Sequence, residues 1–243
     1  MGVEDKVMIR FWCGSGNTIT SPLRPVACPT WADIDRNYTR STRCALKSLM
    51  AGGPPAEFEG RLIVWHGPPG TGKTAAIRAL AREWSSWAKV DYIVDADTFF
   101  SNPAYVSSVV LRPPERALGA NPPPEWRVTV VEDADNFLAF EGRATAGLSL
   151  LLNLTDGILA QGVPVLFLLT TNQRLARLNP AITRRGRVLS STEFRPFSRP
   201  EAAAWLGQSA PAGLSEVPLC DLYAITRGGD RVHGDEGHAG RYL

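Results

Sequence analysis

From Arg61 onward, short apolar runs alternate with amphipathic segments, the pattern of a sheet whose strands are covered by helices. The runs are Leu62 to Trp65, Val90 to Val94, Val128 to Val131 and Val163 to Leu169, each bounded by turn or polar residues. A central parallel strand is buried on both faces, so it requires near-continuous apolarity instead of alternation. The runs therefore predict an α/β fold, a doubly wound parallel sheet over residues 58–195. Thr74 to Trp87 places Ala75, Ile77, Ala79, Leu80 and Trp84 at mostly helical spacing, which predicts a helix directly after the first strand. Asn102-Pro103 reads as a helix cap followed by proline at the first helical position. Ser198-Arg199-Pro200-Glu201 opens another helix with Ser198 as its cap, and residues 196–229 are expected to form a short C-terminal helical lid.

Outside this body the pattern weakens. Residues 1–57 carry Pro22, Pro25, Pro29 and the Gly52-Gly53-Pro54-Pro55 cluster, and are expected to be an irregular leader around one helix, Asn37 to Met50. Between Arg112 and Trp126, Pro113, Pro114 and Pro122 to Pro124 exclude a regular element and predict a surface loop. Residues 230–243 are glycine-rich and polar, as in a flexible tail.

Composition narrows the class. A chain of 243 residues with 44% hydrophobic and 21% charged residues suits a soluble globular protein, not a disordered or fibrous one. The formal net charge of +2, with acids and bases intermixed, gives no nucleic-acid platform and no anionic-membrane binder. Cys13, Cys28, Cys44 and Cys220 lack the paired spacing of a zinc or redox site and read as reduced thiols. No stretch approaches the roughly 18 apolar residues of a membrane span. The N-terminus, MGVEDKVMIRFW, lacks the apolar core of a secretory signal, and a cytoplasmic protein is expected.

The strongest chemical signal is Gly67-Pro68-Pro69-Gly70-Thr71-Gly72-Lys73-Thr74, which satisfies GxxxxGK[ST] between an apolar strand and an amphipathic helix. A polyphosphate needs several backbone N–H groups at close approach, which glycines permit, and a helix N-terminus adds partial positive charge. Lys73 is then expected to contact the β- and γ-phosphates of ATP, with the Thr74 hydroxyl on Mg²⁺. The run Val128 to Val131 leads into Glu132-Asp133-Ala134-Asp135, acids at the carboxyl end of a strand, where ligands of open α/β sheets gather. Glu132 is assigned to the metal and Asp133 to activation of the attacking water. A later strand ends in Thr170-Thr171-Asn172, where the amide is placed to meet the γ-phosphate and the lytic water. The basic turn LNPAITRRGRV, Leu178 to Val188, carries Arg184, Arg185 and Arg187, either a solvated loop or guanidinium groups that stabilise charge on a γ-phosphate. His66 reads as a strand-end residue, and His233 and His238 fall in the tail, where a metal site has no scaffold.

Taken in order, GPPGTGKT, an acidic strand end, a strand ending in TTN, and LNPAITRRGRV resemble the AAA+ ATPases over residues 58–206, especially the AAA branch. The likeness extends to the mitochondrial translocase type that moves the Rieske protein and to bacterial relatives. That resemblance implies a P-loop NTPase core, Mg-ATP hydrolysis at subunit interfaces of a ring, usually hexameric, and work on a macromolecular client, most simply a protein. It further implies that Asn172 is the sensor and that Arg184 and Arg187 reach the neighbouring subunit's nucleotide. A pore loop would fall near Tyr105-Val106, although the Asn102-Pro103 cap makes Tyr105 an ordinary helix residue; Ile34 or Tyr38 would lie near the adenine. The sequence departs from the family in its Glu-Asp order, in Val188-Leu189-Ser190-Ser191 where many relatives have a further Asp-Arg, and in a short lid without a clear second sensor. These departures leave open a nucleotide-binding scaffold with little hydrolysis, or a clamp-loader-like ATPase associated with DNA, against which the low net charge argues.

Overall fold

A computed structural model describes residues 6–15, 18–56, 59–112, 126–138, 146–156, 162–184, 186–207 and 216–227. The proline-rich connector and the tail with His233 and His238 lie outside the described residues. Among those described, the chain runs β1 (Lys6–Ser15), β2 (Thr18–Thr20), β3 (Leu23–Ala27), α1 (Trp31–Ile34), α2 (Arg40–Met50), β4 (Leu62–His66), α3 (Lys73–Glu83), β5 (Ala88–Ile93), α4 (Ala96–Ser101) and α5 (Pro103–Val110). It continues through β6 (Trp126–Val131), α6 (Asp135–Leu138), α7 (Ala146–Asp156), β7 (Val165–Thr171), β8 (Val188–Glu193), β9 (Phe197–Ser198), α8 (Arg199–Leu206), β10 (Glu216–Val217) and α9 (Leu219–Thr226).

One sheet holds the order β2-β1-β5-β6-β7-β4-β8, with β3 also paired to β1. From β1 to β8 every pairing is parallel; β2 and β3 run antiparallel to β1. The expected α/β fold with a mostly parallel sheet is what the chain adopts. The apolar runs are near-continuous because their residues serve two cores. Leu62 and Val64 of β4 join one cluster with Val131, Phe167 and Leu169, while Ile63 and Trp65 join the other with Val128, Val130, Leu166 and Leu168. A third, small cluster of Phe197, Ala202, Val217, Leu219 and Leu222 holds α8, α9 and the β9-β10 pair together. The capping signals form as expected. Asn102 Oδ1 accepts from the Ala104 and Tyr105 amides, and Ser198 and Glu201 complete a capping box. Among the described residues no helix is long and apolar enough to cross a membrane.

The expectation of irregular structure before Asn37 is corrected, because β1, β2 and β3 occupy residues 6–27 and extend the sheet beyond β5. Prolines gave the misleading signal. Pro25 stands opposite Met8 in β3, a strand that among the described residues is bonded only to β1, and an edge strand tolerates a residue with no N–H to donate. The β1 segment pays its way in packing through residues that split between the faces: Ile9 is buried in one core and Trp12 in the other. Trp12 Nε1 donates to Asp91 Oδ1 of β5 at 3.0 Å. Asp91 is 1% exposed and has Arg10, Arg112 and Arg127 guanidinium nitrogens at 3.9 Å. Burial raises the Asp91 carboxyl above its usual range, opposed by the Trp12 bond and the three guanidiniums.

Replacing Trp12 with alanine removes a large buried side chain and one donor to a buried carboxyl together, so urea unfolding should show a loss of about 4 kcal/mol. A loss below about 1 kcal/mol would mean that β1 lies outside the cooperative core.

Candidate functional site

The site forms at the carboxyl ends of β4, β6 and β7, the edge at which parallel sheets present their loops. After His66 the chain enters the glycine loop and then α3. Gly67 has φ 137°, and a Cβ there would stand 2.1 Å from the Phe194 carbonyl oxygen, so only glycine lets the loop leave the strand beside β8's outgoing chain. Gly70, at φ 73°, lies under α9: a Cβ there would meet Cys220 Sγ at 2.4 Å, and the Cys220 amide donates to the Gly70 carbonyl at 3.0 Å.

Lys73 begins α3 and its side chain turns back into the loop. Its ammonium donates to Gly67 O at 2.7 Å, Pro68 O at 3.0 Å and Asn172 Oδ1 at 3.0 Å. Burial lowers the Lys73 pKa, opposed by Asp133, Asp135 and Glu132. Thr74, the next residue, donates through Oγ1 to Glu132 Oε1 at 2.7 Å, and Tyr92 of β5 donates its hydroxyl to Glu132 Oε2 at 2.9 Å. Burial raises the Glu132 carboxyl above its usual range, and these two hydrogen bonds oppose the shift. Asp133 follows at φ 52°, its amide donating to Thr170 Oγ1 at 3.1 Å. Asn172 leaves β7 with its backbone amide on Asp135 Oδ1 at 2.8 Å and its side-chain amide on Asp135 Oδ2 at 3.2 Å.

A cavity of about 530 Å³ collects Pro69, Gly70, Thr71, Gly72, Lys73, Thr74, Glu132, Asp133 and Asn172 on one wall system. That volume falls within the range of small-molecule sites. The fold thus brings the loop, both acids and the amide together. It does not bring Arg184 or Arg187 there. Arg184 is exposed and Arg187 donates to the Ala181 carbonyl at 2.6 Å, neither of them lining the cavity, while Arg185 lies outside the described residues. Ile34 and Tyr38, placed near a base by resemblance, are buried, with the Tyr38 hydroxyl donating to Gly72 O at 3.1 Å. Tyr105 is fully buried, its ring packed on Phe99. Desolvation lowers the pKa of buried His66, opposed by Glu193.

Six residues at or beside the site escape sequence reasoning. Tyr92 sits in a strand and gives no motif, while Asp135 is visible only as the last acid of a cluster. From the lid, Leu219, Cys220 and Tyr223 line the cavity. Asn37 holds the lid in place: its buried Oδ1 accepts from Tyr223 OH at 3.1 Å and Trp205 Nε1 at 3.3 Å. The pairing of Asn37 with residues some 170 to 190 positions later carries no local signal.

The parallel sheet, glycine loop, loop lysine and acidic strand end define the P-loop class of nucleotide-binding proteins. Residues 63–196, more than half of the 243-residue chain, match the model of the ATPase family associated with various cellular activities (AAA), and the chain belongs to that family. Among solved structures, the chain is similar to one in the E. coli MS115-1 HORMA:CdnC:Trip13 complex, at 20% identity and a TM-score of 0.47. The likeness covers 69% of this chain and 59% of that one, so the chain spans about three-fifths of its length. No curated protein sequence matches the chain.

Gly67→Ala forces a left-handed φ on a residue with a Cβ and drives that Cβ into a backbone carbonyl. It should destabilise the fold by about 2 kcal/mol or more, read as a lowered Tm. An unchanged Tm would show that the loop can leave β4 by another path.

Proposed function

We propose that the cavity binds ATP with magnesium and that the protein hydrolyses it at interfaces between copies arranged in a ring, a hexamer being the form the family resemblance implies. The observation that carries this reading is the 2.7 Å contact of Thr74 Oγ1 with Glu132 Oε1, beside the buried Lys73. Residues 58 positions apart are thereby brought together at the mouth of the phosphate loop. A hydroxyl and a carboxylate at that separation are hard oxygen donors, and they suit magnesium held by Thr74 and, through water, Glu132. Bound magnesium supplies neutralisation of charge on the β- and γ-phosphates.

The backbone from Gly67 through Thr74 cradles the phosphates, and Lys73 gives up its three oxygen acceptors for the β- and γ-phosphate oxygens. Asp133, on the cavity wall, accepts a proton as water attacks the γ-phosphorus and the bond to the bridging β-oxygen breaks. Arg184 and Arg187 act in trans on a neighbour's cavity, a role supported by their distance from their own and by the exposure of Arg184. Residues 196–229 act as the lid. The client is a macromolecule, most simply a protein; buried Tyr105 leaves that residue unable to grip a threaded chain. Four free cysteines fit a reducing, cytoplasmic setting.

The reading is tested by variants in parallel. Lys73→Ala should weaken ATP binding by about 100-fold or more in calorimetry, and Arg184→Ala should bind ATP normally yet hydrolyse it about 1,000-fold more slowly when assembled. Wild-type turnover by assembled Arg184→Ala would remove the trans assignment. Slight wild-type turnover left unchanged by Asp133→Asn would favour a nucleotide-binding scaffold, and substantial turnover left unchanged would remove Asp133 as the base.

Because burial raises Glu132 above the ordinary glutamate value of 4.5, magnesium-dependent binding should weaken with falling pH from a higher pH than an ordinary carboxylate would give. Stability runs the other way, since protonated Glu132 favours the fold and this contribution is lost as pH rises through its folded pKa. Glu132→Gln should flatten the binding profile, and an unaltered profile in that variant would exclude Glu132 as the titrating group.

A further inference from the structure

Asp135 lies outside every role assigned so far, yet its carboxylate is the most heavily engaged group at the end of β7. Oδ1 accepts from Thr171 Oγ1 at 2.7 Å and from the Asn172 amide at 2.8 Å. The Thr171 side chain is fully buried and its oxygen already accepts from the Gln173 amide at 3.0 Å, so its single proton is committed to Asp135. Two donors thus fix the carboxylate in one plane. Its second oxygen meets Asn172 Nδ2 at 3.2 Å, and on the far side Asn172 Oδ1 meets the Lys73 ammonium at 3.0 Å.

This chain of three admits one arrangement. A carboxylate can only accept hydrogen bonds and an ammonium can only donate them. An amide held between the two must turn its NH2 to the carboxylate and its oxygen to the ammonium; the reverse loses both bonds and sets like against like. We infer that Asp135 is a positioning residue that fixes the Asn172 amide with its oxygen toward the reaction space, making Asn172 an acceptor for the attacking water and not a donor to the γ-phosphate.

The inference rests on the hydrolase reading above and gives Asn172 a polarity that reading leaves open. When Lys73 turns to the phosphate oxygens, Asn172 Oδ1 is left facing the cavity. Phosphate oxygens only accept and cannot satisfy it. The O–H of a water can, and accepting that proton aligns the water's lone pair for attack while Asp133 takes the other proton.

The test is Asp135→Asn, which keeps shape and an oxygen for Thr171 and the Asn172 amide but offers an NH2 where Oδ2 was. Asn172 should then invert, presenting its own NH2 to the cavity. Turnover should fall at least about 10-fold, while affinity for a non-hydrolysable triphosphate analogue, relative to ADP, should rise at least about 3-fold in calorimetry. Loose packing alone would weaken both nucleotides alike and has no means of raising the ratio. In an Asn172→Ala background the same change at Asp135 should leave the ratio within about 2-fold, since the amide it acts through is gone. A ratio that stays constant or falls in Asp135→Asn, or an equal response in the Asn172→Ala background, overturns the proposal. Should the wild type bind the triphosphate and never hydrolyse it, the hydrolase reading fails and the affinity ratio still decides the orientation of Asn172. Should it bind no nucleotide, the side-chain amide resonances of Asn172 in labelled protein decide. They should shift in Asp135→Asn, and unmoved resonances count against the inference.

Discussion

The insertion of β7 between β4 and β6 is the constraint on which the site depends. Parallel pairing sets Trp65 beside Thr170, His66 beside Thr171 and Val131 beside Leu169, so that β4 and β7 end together and β6 ends two residues earlier on the same side of the sheet. The residues that follow each end, the glycine loop, the acids and Asn172, then have only short distances to cover. The ends are bound to one another as well. The Ala134 amide donates to Thr170 O at 3.0 Å, Asp133 N to Thr170 Oγ1, and the Gly67 amide to Thr171 O at 3.2 Å. A slip of one residue in β7 would carry Thr170 and Thr171 to the opposite faces and detach all three loops at once. Phe167 and Leu169 pack in one core and Leu166 and Leu168 in the other, so such a slip would also exchange side chains of different shape between two packed cores.

Much of this was legible because it is local. The apolar runs that become β4, β5, β6 and β7, the helix after the glycine loop, and the caps at Asn102 and Ser198 each carry their signal within a few residues. The grouping of Lys73, Thr74, Glu132, Asp133 and Asn172 was legible for a different reason, since each ends or follows a strand of one parallel sheet. Where the reading failed, the deciding contact lay far away in the chain. Pro22 and Pro25 suggest a break in structure when considered alone, and only a partner strand makes one of them an edge residue. Tyr92 and Asn37 act through single hydrogen bonds to distant groups, which leave no periodicity and no spacing to detect.

The lid differs from the core in how it is held. Its own cluster is small, with five buried hydrophobic side chains among the described residues, and two polar contacts beside the site tie it to the core. One is the Cys220 amide on Gly70; the other is Asn37, accepting from both helices of the lid, with the Arg36 guanidinium 5.8 Å from the Trp205 ring centroid beside it. An element joined by a few directional bonds can separate with less loss than one joined by a broad apolar face. The grip therefore falls at the very glycine whose carbonyl and missing side chain shape the phosphate loop.

Pro25 carries a consequence beyond the tolerance of an edge. The outer border of β3 has one fewer N–H to offer, and Arg24 beside it is exposed. A strand from a neighbouring molecule seeking to continue the ladder would meet a gap in donors and a fixed charge, which discourages the runaway stacking that open β-borders invite.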